Sequence, residues 1–126
     1  MSLKEDHPET AYQLGRLFAA IEHVQSDALG SGINTTIKDR YFGSASATPA
    51  AIFPRLLRMH QHHMNKLEGG LKVVREKLVQ EVVGRFDSLP AHLNLEGQGL
   101  FAIGYYHQRQ SLFSKKNDQP AQTVDA

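Results

Sequence analysis

LGRLFAAIEHVQSDA, residues 14–28, is the stretch that decides the fold class. Its larger apolar residues recur every three or four positions and share one face of a helix at 100° per residue: Leu14, Leu17, Phe18, Ile21, Val24 and Ala28. The opposite face carries Glu9, Arg16, His23 and Asp27. This spacing predicts an amphipathic helix that begins near Pro8 and ends at Gly30-Ser-Gly32, because proline fits a first helical turn and glycine fits a helix end.

The rest of the chain predicts four more helices and a tail. The second predicted helix is short, is capped by Asn34 and ends at Phe42, and a loop over residues 43–47 follows it. The third helix runs from Thr48-Pro49 to about Leu67, with a bend at Pro54. The fourth spans Leu71–Phe86, and the fifth is capped by Asn94 and spans Leu95–Phe113. The fourth segment is rich in valine, but its apolar spacing is helical. The sequence therefore predicts an all-α fold, a compact bundle of about five helices over residues 1–113, with a flexible polar tail over residues 114–126.

Length and composition limit the possible functions. The chain has 126 residues, which suits one domain, and no cysteine, which excludes disulfides, thiolate nucleophiles and cysteine-ligated metals. Its first residues are polar and no long apolar run follows, so a cytoplasmic protein is expected. No nucleophile and base stand in a recognisable catalytic context, so we expect neither enzymatic activity nor a cofactor.

Positive charge is concentrated in residues 31–67, although the net charge of the whole chain is only +1. This segment carries the cations Lys38, Arg40, Arg55, Arg58 and Lys66 against Asp39 alone. On the predicted third helix, Arg55, Arg58, His62 and Lys66 lie opposite the apolar half. Such a row can follow several phosphates of a nucleic acid backbone, and Lys38 and Arg40 beside Tyr41 and Phe42 could hold a single strand whose bases stack. The alternatives are an ordinary solvated surface and a core role for Tyr41.

Three histidines, His60, His62 and His63, lie close together in the third helix. They do not favour a metal site, because His62 points away from the other two and no further ligand stands at a suitable spacing. We expect no metal, with His60 and His63 partly buried and hydrogen-bonded and with His62 on the basic face.

The predicted fifth helix is apolar on two faces. One face carries Leu95, Ile103, Tyr106 and Phe113, and the other carries Phe101, Tyr105 and Leu112. Such a helix is either central in its own fold or packed against a partner. We predict that Phe101, Tyr105 and Leu112 form a subunit interface, with the central position left open as the alternative. The glycines Gly97, Gly99 and Gly104 are expected to allow close helix packing rather than to bind a dinucleotide, since their spacing is wrong for that fingerprint.

Two dense motifs and a shorter one carry a resemblance to a known family. They are Ile37-Lys-Asp-Arg-Tyr-Phe-Gly-Ser-Ala-Ser-Ala-Thr-Pro49, Gly97-Gln-Gly-Leu-Phe-Ala-Ile-Gly-Tyr-Tyr-His-Gln-Arg-Gln110 and Phe53-Pro-Arg-Leu-Leu-Arg58. Together they resemble the C-terminal helical domain of the large subunit of type I-C CRISPR interference complexes (Cascade), a domain that is also made alone as the small subunit. The resemblance covers about Glu9 to Phe113 of a chain that opens with Met1, so the free-standing small subunit is the closer match.

The resemblance implies a non-catalytic subunit of an RNA-guided complex that stabilises the R-loop by holding the displaced non-target DNA strand and bracing the assembly. The implied partners are the large and backbone subunits, the guide RNA, the displaced single strand and further copies of the chain, with no membrane. The nucleic-acid-binding residues would be Lys38, Arg40, Arg55, Arg58, His62, Lys66 and Arg109. The alternative is a purely structural helical module that links neighbouring subunits without touching DNA.

Overall fold

The computed structural model describes residues 2–30 and 37–125, with side chains as far as Ser114 in the last helix. Five helices make up the described chain, and no strand occurs in it. They are α1 (Thr10–Leu29), α2 (Ile37–Ala47), α3 (Pro49–Met64), α4 (Gly69–Val83) and α5 (Leu95–Asp125). The predicted all-α bundle of about five helices is confirmed.

α1 is the central helix of the bundle, because it contacts each of the other four, and its contact with α5 is the most extensive. Every residue from Ala11 to Ile21 is buried. Arg16 and His23, which the sequence places on the face opposite the apolar one, are therefore buried as well: Arg16 is 0% exposed and His23 is 7% exposed. The division of one helix into an apolar and a polar face cannot show that other helices cover both faces.

Hydrogen bonds make the buried Arg16 tolerable inside the bundle. Its Nε donates to Gln108 Oε1 at 2.9 Å, and its Nη1 donates to Gln13 Oε1 at 2.8 Å and to the Glu5 carbonyl at 3.1 Å. Burial lowers the pKa of the guanidinium, and the nearby Glu5 and Glu81 oppose that effect. Arg16 thus ties α1 to both α5 and the N-terminal segment.

Two glycines allow α1 and α5 to cross at backbone distance. A Cβ atom at Gly15 would lie 2.0 Å from the Phe101 carbonyl oxygen, and one at Gly104 would lie 2.1 Å from the Tyr12 carbonyl oxygen. The predicted packing role is confirmed for Gly104. It is wrong for Gly99, where a Cβ would meet nothing within 4 Å.

Aromatic rings fill the space between α1, α2, α3 and α5. Phe18 makes edge-to-face contacts with Phe42, Phe101 and Tyr105, at centroid distances of 5.5, 5.9 and 5.7 Å. Phe53 of α3 reaches Phe101 from the other direction, at 6.3 Å. Four helices therefore share one aromatic core, a geometry that adds to the stabilisation from burial alone.

Helix ends agree with the predictions in part. α1 ends at Leu29, and Gly30 follows with φ of 67°, a conformation that favours glycine. Asn94 Oδ1 accepts a hydrogen bond from the Gly97 amide at 2.8 Å, as a cap does. Pro49 is the first residue of α3, but the Thr48 hydroxyl donates to the Ser44 carbonyl instead of capping α3.

Five predicted boundaries of α1 to α4 differ from the structure, and one of them is the start of α4, which lies at Gly69 rather than Leu71. α1 begins at Thr10 after the N-cap Glu9, so Pro8 lies outside it. The predicted loop over residues 43–47 is helical, because α2 continues through Ala45 and Ser46, both buried, to Ala47. α3 ends at Met64 and α4 at Val83, each three residues before its predicted end. The Asn34 cap lies outside the described residues.

α5 has bounds of Leu95–Asp125, compared with a predicted end near Phe113. Apart from Ser114, the predicted flexible tail over residues 114–126 lies beyond the described side chains, and it stays a prediction.

Candidate nucleic-acid interface

The exposed side of α3 carries the predicted cationic row. Arg55, Arg58 and His62 are exposed and lie on one helical stripe. Arg55 and His62 are seven residues apart, or about 10 Å along the helix axis at 1.5 Å per residue. Lys66, also exposed, follows in the turn after α3. We call these four residues the α3 cation row.

Carboxylates do not neutralise the α3 cation row in the part of the chain that the structure describes. The ion pairs found there join Arg75 to Asp27 at 2.6 Å, and Arg85 to Asp6 at 3.1 Å and to Glu81 at 3.5 Å. Arg55, Arg58 and Lys66 take part in none of them. Since unpaired cations on a rigid helix keep their full attraction for an anion, the row can bind phosphates.

Lys38 of α2 lies beside Phe42, as the sequence suggested, with its Nζ 5.9 Å from the centroid of that ring, and it also lies against α5. Its Nζ donates to the Tyr106 hydroxyl at 3.0 Å and lies 5.2 Å from the centroid of that ring. Tyr41 and Phe42 are only partly exposed and pack against the core, which favours the core alternative for Tyr41. The exposed aromatic side chain beside Lys38 is therefore Tyr106, 48% exposed.

Arg109 repeats this arrangement further along α5. It is exposed, and its guanidinium carbon lies 4.8 Å from the centroid of the Phe113 ring, a cation–π distance. Phe113 is 41% exposed, and its ring also contacts that of the buried His23 at 5.7 Å. We call Lys38, Tyr106, Arg109 and Phe113 the aromatic–cation face. Arg40, the remaining predicted cation, is exposed on α2.

The predicted subunit interface lies inside the bundle. Phe101 and Tyr105 are 0% exposed and Leu112 is 9% exposed, because this side of α5 packs against α1. The interface interpretation is therefore wrong for these three residues, and the central alternative holds. Gly104 was the available signal: it lies on the same helical side as Phe101 and Tyr105, and a glycine marks the side that approaches another backbone.

Comparison with family models gives one finding. The model described as CRISPR-associated protein (Cas_Csd1) matches residues 1–113. The chain belongs to the Cas_Csd1 family of CRISPR-associated proteins. The match includes the α3 cation row and the aromatic–cation face. No curated protein matches the chain.

The histidines of this Cas_Csd1 family member divide as the sequence predicted. His60 and His63 are buried and His62 is exposed. Burial lowers the pKa of His60, with Glu76 opposing and His63 reinforcing the shift; burial also lowers the pKa of His63, reinforced by Lys66 and His62. The expected hydrogen bonds are not seen at Nδ1, which has no partner in either ring among the described residues.

The absence of a bound metal is still an expectation from the sequence. The described residues contain no group of three or more histidine, aspartate or glutamate side chains placed to hold an ion. Elemental analysis of the untagged protein, in which we expect no stoichiometric zinc, is the direct test. None of the described helices combines the length and the apolar character that a membrane span requires.

Proposed function

We propose that this chain acts as the small subunit of a type I-C Cascade complex, or as the equivalent helical domain of the large subunit, and that it holds the displaced DNA strand by binding rather than by catalysis. The family match supports a role in CRISPR interference. The observation that carries the DNA-holding role is the α3 cation row, whose cations are exposed and have no carboxylate partner among the described side chains.

The energetics of R-loop formation make such a row useful. Pairing of the guide RNA with one DNA strand replaces a duplex of similar stability, so modest contacts to the backbone can shift the balance. A cationic surface that binds the released strand lowers the free energy of the open state. It also slows re-annealing, because the bound strand must first dissociate. Neither effect requires a catalytic residue.

A charge-reversal experiment tests the proposal. In the assembled complex, Arg55→Glu with Arg58→Glu should weaken R-loop formation. It should also reduce the salt slope of single-strand binding by about 0.7 for each phosphate that the variant no longer binds. The matched control is Lys72→Glu with Lys77→Glu, which makes the same charge change at exposed residues of α4. Circular dichroism checks that both double variants fold. Unchanged affinity and slope in the Arg55 and Arg58 variant would remove the row from the mechanism.

A structural module that links subunits without DNA contact is the second candidate. It is favoured by exposed apolar side chains on α4, where Leu71, Val73 and Val74 are 43%, 66% and 58% exposed. Patches of this kind often contact other proteins. This candidate predicts that Val73→Asp with Val74→Asp depletes the chain from the purified complex, whereas the α3 charge reversal does not.

A further inference from the structure

The aromatic–cation face contains two pairs along α5, each made of one aromatic ring and one cation. Tyr106 with Lys38 and Phe113 with Arg109 each place a partly exposed ring beside an ammonium or guanidinium group. The two rings are seven residues apart, which returns them to the same side of the helix about 10 Å apart. α5 contains no acidic residue between Gly97 and Ser114, so no charge of its own opposes an anion there.

Buried neighbours hold both rings in position. Tyr106 makes an edge-to-face contact with the buried Tyr105 at 4.9 Å, and Tyr105 donates a hydrogen bond to Glu22. Phe113 is braced in the same way by the buried His23. Rings fixed before binding lose little conformational entropy when a flat ligand stacks on them.

We infer that the aromatic–cation face binds single-stranded nucleic acid by stacking bases on Tyr106 and Phe113, while Lys38 and Arg109 bind the adjacent phosphates. The inference rests on the proposed function for the identity of the strand, and it adds a discrimination that the α3 cation row cannot provide. Cations alone bind duplex and single strand, whereas stacking requires bases released from pairing. The face thus selects the displaced strand over re-annealed duplex.

The chemistry of the face favours a nucleic acid over a protein partner. An apolar protein surface would match the rings, but it would also have to supply a separate carboxylate for each of Lys38 and Arg109. A single strand supplies a flat apolar surface and a negative charge in every nucleotide. It therefore matches the alternation of ring and cation with one repeating ligand.

Base-bearing and abasic oligonucleotides of equal length separate stacking from charge. The full chain should bind labelled oligo-dT at least tenfold more tightly than an abasic strand with the same phosphates, because each of the two stacked bases contributes about fivefold or more. Tyr106→Ala with Phe113→Ala should remove that preference and leave abasic binding unchanged. Tyr106→Phe with Phe113→Tyr should retain it, because both rings remain. As a control for removal of apolar surface from the same helix, Ile103→Ala should retain it as well.

Three outcomes overturn the inference. The first is equal binding of the two oligonucleotides by the unmodified chain, including no binding of either. The second is an unchanged preference in a folded Tyr106→Ala, Phe113→Ala variant. The third is depletion of that variant from the purified complex with strand binding intact, which would make the face a protein interface. Failure of the proposed function looks different: the Arg55 and Arg58 reversal would leave binding of both oligonucleotides unaltered while the base preference persists.

Discussion

At the scale of single residues, Gly104 is one of the two glycines that allow α1 and α5 to cross closely. A Cβ there would lie 2.1 Å from a backbone oxygen, which cannot rotate away as a side chain could. We expect Gly104→Ala to destabilise the fold by about 3 kcal/mol or more, since overpacking forces the backbones apart.

The control for Gly104→Ala is a glycine of the same helix. A Cβ at Gly99 would meet nothing within 4 Å. Gly99→Ala should therefore stabilise the chain by about 0.5–1 kcal/mol, through the better helix propensity of alanine. Thermal melting measures both changes. Equal melting temperatures for the two variants would contradict the close crossing of α1 and α5.

The buried histidines predict how stability depends on pH. His60 has a lowered pKa in the folded state, so the unfolded chain binds more protons below its ordinary pKa of about 6.5. The contribution of His60 to stability is therefore fully present above that pH and is lost as the pH falls below it. At pH 5.5 the loss is at most about 1.4 kcal/mol.

Two variants test this assignment. Between pH 7.5 and pH 5.5, the melting temperature of the His60→Leu variant should fall less than that of the unmodified chain. The reason is that the variant lacks the imidazole whose protonation opposes folding. The control variant, His62→Leu, removes an exposed imidazole of the same helix, and its melting temperature should fall more over this pH range than that of His60→Leu. A steeper fall in the His60→Leu variant would show that the sign is wrong.

At the scale of elements, apolar spacing together with cap and start residues was enough to predict all five helices, because each buries at least one side against the bundle. It was not enough to predict which side of α5 is buried, since both sides carry large apolar groups. Nor did it reveal that α2 continues to Ala47. The small residues of the Gly-Ser-Ala-Ser-Ala segment are of the kinds found in loops, yet Ala45 and Ser46 are buried in the helix.

The candidate site also has one part that the sequence could predict and one part that it could not. Exposure of Arg55, Arg58, His62 and Lys66 followed from the helical wheel of α3 alone. The contact between Lys38 and Tyr106 could not be predicted, because 68 residues separate them in sequence and only the packing of α2 on α5 brings them together. Local periodicity predicts the faces of a helix, whereas pairing of faces requires the tertiary arrangement.

The assignment of the two sides of α5 makes a direct prediction. Phe101 is 0% exposed and its ring contacts Phe18, Phe42 and Phe53, so Phe101→Ala should cost about 3–5 kcal/mol in the isolated chain. Ile103→Ala removes a side chain that is 47% exposed and should cost far less. Chemical denaturation compares them. Similar midpoints would restore the partner-facing interpretation of Phe101.

At the scale of the whole molecule, the ion pairs of the described residues join α1, α4 and the N-terminal segment, whereas the cations of the proposed binding surfaces belong to other parts of the bundle. Asp27 and Glu81 pair with the α4 residue Arg75 and with Arg85 just after α4. Among the described side chains, no such partner is found for the cations Lys38, Arg40, Arg55, Arg58 and Arg109. The fold itself depends on an aromatic and aliphatic core shared by all five helices. In the proposed function, these cations bind a strand and contribute little to the stability of the fold.

This separation predicts opposite salt responses for binding and for folding. If about four cations each contact a phosphate, single-strand affinity should fall about 50-fold between 50 and 200 mM salt. The melting temperature should hardly change over that range, because apolar burial is insensitive to screening and exposed ion pairs contribute at most about 1 kcal/mol each. Fluorescence anisotropy and thermal melting in the same buffers compare the two responses. A parallel fall in both would mean that salt acts by unfolding the chain. Salt-independent binding, with the chain retained in the complex, would favour the apolar linking module instead.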